Sequence, residues 1–88
     1  MRTRKEALGS RNIIGARVTE ARKRLNDMTQ RDLLAQLQVK GIEMNASGLS
    51  KLEGQHRYVM DFELAALADV LHVKVDWLLG RSNCIKGK

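Results

Sequence analysis

The chain has 88 residues, a formal net charge of +6, a hydrophobic fraction of 43%, no proline and one each of Phe, Trp and Tyr. This length allows one domain with a single modest core, which must be built from Leu, Ile, Val, Ala and Met, a composition that favours helices over strands. No apolar run approaches the roughly 18 residues of a membrane span and no secretion signal opens the chain, so a cytoplasmic protein is expected, while the positive balance implies an anionic partner: nucleic acid, an acidic protein or an anionic lipid surface.

Residues 1–11, "MRTRKEALGSR", carry Arg2, Arg4, Lys5 and Arg11 against one Glu with no sustained apolar period, and read as a flexible basic arm. Ile14, Val18, Ala21 and Leu25 then recur at helical spacing, which predicts a first helix over about Asn12 to Leu25. Asn26 and Asp27 interrupt it. Thr29 is a good N-cap for a second helix, about Gln30 to Gln38, whose inward residues are Leu33, Leu34 and Leu37. The following "VKGIEM" is a turn with apolar anchors at Val39, Ile42 and Met44.

Asn45 caps a third helix held inward by Leu49 and Leu52. Asp61 caps a fourth, about Phe62 to Leu71, in which Leu64, Leu67, Ala68 and Leu71 give the cleanest amphipathic pattern of the chain. A short fifth helix, about Lys74 to Leu79, ends at Gly80, and residues 81–88 form a polar tail. Five short helices with short connections and no strand pattern predict an all-α compact bundle.

Cys84 is the single cysteine, so an intramolecular disulfide and a cysteine-based zinc cage are excluded; it is either an incidental thiol or an intermolecular link or redox switch. His56 and His72 have no metal-ligand spacing, and no metal or cofactor is expected. Nothing in the sequence pairs a nucleophile with a base, two carboxylates or a phosphate-binding loop, so an enzyme is not expected.

The third helix carries the functional reading. At 100° per residue about Leu49, the residues Asn45, Ala46, Leu52 and Glu53 lie within about 60° of the inward direction, whereas Ser47 and Lys51 point away and Gly48 and Ser50 flank them. Exposed helix faces usually carry long Glu, Lys and Gln side chains. Here the outer face is small, polar and basic: either a poorly optimised surface helix, or one shaped for close approach, with Ser47 and Lys51 one turn apart to meet a groove wall or base edges. Glu53, at the inner flank, requires a partner. Arg22 lies at the matching flank of helix one, so an Arg22–Glu53 ion pair is expected to brace helix three.

In this order, "IGARVTEAR", "TQRDLLAQL", "SGLSKLEGQ" and "DFELAALADVLHVKVDWLLG" make the chain from about Ile14 to Gly80 resemble the Cro/C1-type helix-turn-helix family, also called the XRE family, of bacterial and phage transcriptional regulators. The resemblance implies a lambda-repressor-like five-helix bundle over residues 12–80, with helix three in the major groove. It places Ala46, Ser47, Ser50 and Lys51 towards the bases. Phosphate contacts fall to Thr29, Gln30 and Asn45 at the helix starts and to Gln55, His56, Arg57 and Tyr58 in the following loop. Arg22 and Glu53 match the family's structural ion pair, and Arg2, Arg4 and Lys5 either follow a minor groove or phosphates, or remain a solvated tail.

Leu34 to Leu49 spans fifteen positions where the family commonly has about ten, with "KGIEM" as the insertion, which extends helix two or tilts helix three. The implied function is a sequence-specific double-stranded DNA-binding regulator, a repressor acting as a homodimer through helix five and the tail, where Trp77 and Ile85 offer apolar area. An antitoxin with a toxin partner, a restriction-modification controller, or a protein-interaction module without a DNA site are the alternatives.

Overall fold

Four of the five described helices begin where a side chain accepts from free backbone amides, whereas the short fifth helix has no side-chain cap. A computed structural model describes Gly9 and residues 11–85, and among these are five helices and no strand: α1 (Gly15–Arg24), α2 (Gln30–Val39), α3 (Ala46–Glu53), α4 (Asp61–Leu71) and α5 (Val75–Leu78). α1 starts later than its apolar spacing suggests because Asn12 stands before it as a cap, its Oδ1 accepting from the N–H groups of Ile14 (3.1 Å) and Gly15 (3.0 Å). At α2 the Thr29 hydroxyl accepts from Asp32 N–H at 3.1 Å while the Asp32 carboxylate accepts from Thr29 N–H at 3.3 Å, a reciprocal capping box. Asn45 Oδ1 accepts from Gly48 N–H at 2.7 Å and starts α3. Asp61 proves to be the first residue of α4 rather than its cap. Met60 takes the cap position, and Glu63 reaches back to accept from Met60 N–H at 3.0 Å.

Four helices end alike. Gly41, Gln55, His72 and Gly80, each just beyond a helix, adopt left-handed backbone with φ of 87°, 66°, 58° and 78°, and reversed hydrogen bonds close the last turn. At α2, Gly41 N–H donates to Gln38 O and Ile42 N–H to Leu37 O, both at 2.9 Å. The "KGIEM" segment is therefore a tight helix stop, extending α2 only to Val39. Ile42 turns into the core, but Val39, expected as an anchor, is 88% exposed.

α1 and α2 cradle α3, and α4 packs on α1, α2 and α5. Ile14, Val18, Leu33, Leu37, Leu49, Leu52, Leu67, Leu71, Trp77 and Leu78 meet at the centre, each leucine contributing about 2 kcal/mol relative to exposure. Trp77 is fully buried, with the Arg17 guanidinium 4.6 Å above its ring and Arg17 Nη1 donating to Trp77 O at 2.7 Å. This corrects the expectation that Trp77 offers surface for a dimer. The described part of the tail is likewise attached: Arg17 donates to Ser82 O, Lys74 N–H donates to Ile85 O at 3.0 Å, and Ile85 packs against the core. Among the described residues no helix is long and apolar enough to cross a membrane.

Candidate nucleic-acid interface

α3 is fastened from below by an ionic network. Arg22 Nε and Nη2 donate to Glu53 Oε2 and Oε1 at 2.9 and 3.0 Å, and Arg22 Nη1 donates to Met28 O at 2.7 Å. Both side chains of the pair are nearly buried, so the planar fork matches the carboxylate where an unpaired charge would be costly. Gln30 joins the same carboxylate, its Nε2 donating to Glu53 Oε1 at 2.9 Å, while its Oε1 accepts from the Ser50 hydroxyl at 3.3 Å. The Gln30 side chain, expected at a phosphate, is thus committed to α3. The capping box similarly engages the Thr29 hydroxyl and amide, and sets the Asp32 carboxylate where a phosphate was expected to approach.

On the outer side, Asn45, Ser47, Gly48 and Lys51 from α3 and its cap share one open groove with Arg11, His56, Arg57 and Tyr58. Ser47, Ser50 and Lys51 are exposed, and none of the groove's lining residues is acidic. Ala46 is exposed on the other flank, lining a second hollow with Gln30, Leu34, Ile42 and Met44. Gly48 keeps the groove floor low. A Cβ there would lie 3.1 Å from Asn45 Oδ1 and 3.2 Å from Met44 Cγ.

The loop after α3 is more firmly held than its polar sequence suggests. Gln55, expected at a phosphate, is only 7% exposed and lies beneath α1, where a Cβ on Gly15 would come 2.9 Å from its Cγ and one on Gly9 2.5 Å from its Cβ. The left-handed turn at Gln55 directs this side chain inward. Asn12 Nδ2 donates to Leu52 O (3.1 Å) and Arg57 O (2.7 Å), tying α1's cap to both the end of α3 and the loop. Arg57 makes two hydrogen bonds to Glu63, at 3.0 and 3.1 Å, so much of its charge is neutralised although it borders the groove. Burial pushes the Glu63 carboxyl up, but hydrogen bonds from Arg57 and Met60 N–H, with the Arg57 charge, outweigh it and leave the pKa below its ordinary 4.5.

Tyr58 and His56 remain exposed, and the Arg11 guanidinium lies 5.9 Å from the Tyr58 ring centroid. Arg11, assigned to the arm by sequence, therefore belongs to the groove, whereas Arg2, Arg4 and Lys5 lie outside the described residues. Asn12 and Glu63 were missed by motif reading. Asn12, two residues before Ile14, carries a local capping signal, and Glu63, three residues after Met60, carries the acidic half of a capping box. Their long-range partners have no local signal. Among the described residues no three His, Cys, Asp or Glu side chains gather to hold a metal ion. No family model matches this chain, and neither a curated protein nor a solved structure is significantly similar to it, so its assignment rests on these residues and their geometry.

Proposed function

We propose that this chain is a sequence-specific double-stranded DNA-binding regulator of the lambda-repressor-like, Cro/C1-type helix-turn-helix class, acting as a cytoplasmic repressor. α3 enters the major groove, with Ala46, Ser47, Ser50 and Lys51 towards the bases. Arg11, His56 and Tyr58 approach phosphates at the rim. The observation that carries this reading is the acid-free groove on the outer face of α3, where small Ser47 and Gly48 allow close approach beside Lys51 and Arg11, in a chain of net charge +6.

A homodimer on two half-sites supplies the contacts that one small module lacks. Its apolar contact is sought among Val39, Met60 and Phe62, all more than half exposed, rather than at Trp77. Antitoxin and restriction-modification controller roles use the same DNA-binding face. A protein-interaction module is favoured by the exposed Tyr58, Met60 and Phe62 alone.

Selection from a random duplex library tests the proposal. A defined motif is expected, with Lys51→Ala costing about 1–3 kcal/mol and relaxing one position if Lys51 reads guanine. Affinity for duplex that is absent at 50 mM salt sinks the DNA reading in favour of the interaction module.

A further inference from the structure

We infer that Ser50 reads a base as a hydrogen-bond acceptor only, and that this polarity is imposed on it from the buried Arg22–Glu53 pair through Gln30. The inference rests on the proposed entry of α3 into the major groove. Glu53, held at both oxygens by Arg22, is a carboxylate and can only accept hydrogen bonds. Gln30 lies 2.9 Å from Glu53 Oε1 and must therefore turn its amide NH2 towards it. The opposite amide orientation would set a carbonyl oxygen against a carboxylate oxygen.

With Nε2 fixed inward, Gln30 Oε1 faces Ser50, and the 3.3 Å contact engages the only proton of the Ser50 hydroxyl. What the exposed Ser50 Oγ retains for an approaching partner is a lone pair. In the major groove each base pair displays one amino donor, on adenine or cytosine, and keto acceptors on thymine or guanine. Ser50 so polarised discriminates amino from keto: it favours adenine or cytosine at the strand position it reaches and disfavours guanine or thymine there. Gln30 is a positioning residue in this scheme, acting through Ser50 without touching the base.

The test is library selection on the full chain, followed by affinities on the selected site and on its variants at each position, for the parent, Ser50→Ala and Gln30→Leu, with melting of each protein to verify folding. The parent is expected to show one position at which adenine or cytosine is preferred by about five- to tenfold. Ser50→Ala removes that preference by lowering affinity for the adenine and cytosine sites to the level of the others. Gln30→Leu frees the hydroxyl proton and removes the preference in the opposite way, by raising affinity for the guanine and thymine sites. Ser50 is exposed, so its truncation tests the base contact even if Gln30→Leu fails to fold. A motif that lacks the amino-versus-keto position, or one that Ser50→Ala leaves intact, overturns this inference while leaving DNA binding standing. Absence of saturable duplex binding by the parent overturns both.

Discussion

At Glu63 two opposing effects meet, and the winner sets the sign of this residue's contribution to stability in acid. Burial disfavours its charge, yet Arg57 and the Met60 amide hold the carboxylate strongly enough to depress its pKa below 4.5. The unfolded chain therefore binds the proton more readily than the folded one, so this contribution is complete above about pH 4.5 and disappears as pH falls through the depressed folded value. Glu63→Gln should lower the Tm at pH 7, and the gap between parent and variant should narrow below pH 4.5; a gap independent of pH between 7 and 3, followed by thermal melts, contradicts the assignment. The Arg22–Glu53 pair is more costly to break, because both side chains are close to fully buried. Arg22→Ala should destabilise by about 3–5 kcal/mol in urea titrations, since Glu53 would keep only Gln30 as a side-chain partner.

Between elements, the close approach of α1 to the end of α3 is the constraint that orients the groove. Gly15 is the first residue of α1, where alanine would gain less than the roughly 0.5–1 kcal/mol of helix propensity that it gains at an interior position. A Cβ at Gly15 would nevertheless run into Leu52 O and come 2.6 Å from Glu53 O, backbone atoms that cannot rotate away. Gly15→Ala is therefore expected to be net destabilising by about 2 kcal/mol; a higher denaturation midpoint for the variant would show that α1 and α3 separate freely. The helices themselves were legible because their signals are local: apolar residues three and four apart, Thr29 and Asn45 at caps, Gly80 at a stop. The Arg22–Glu53 pair was legible too, since two helical wheels suffice to place one charge on each inner flank. Gln55 was not, because a polar residue after a glycine resembles an exposed loop until its left-handed backbone sends it under Gly9 and Gly15. Trp77 was misplaced for a similar reason: its cover is Arg17, sixty residues earlier.

For the whole molecule, charge is arranged so that the acids nearest the α3 end are engaged internally. Glu53 and Glu63 are buried against Arg22 and Arg57, leaving Lys51 and Arg11 to dominate the groove. Duplex affinity should fall steeply with salt, and Arg11→Ala should reduce the slope of log K against log salt by about one if Arg11 meets a phosphate. Fluorescence anisotropy across 50–200 mM salt measures this, and an unchanged slope assigns Arg11 to the Tyr58 ring instead.

Trp77 adds a consequence for how such variants are judged. It is the single tryptophan of the chain and is entirely shielded from water, so its emission should be blue-shifted in the folded protein and move to longer wavelength as the core opens. The molecule thus carries an optical gauge of its own integrity, needing no label. A variant of Ser47, Ser50 or Lys51 that keeps the parent's emission profile on heating but no longer retains duplex has lost a contact rather than a fold.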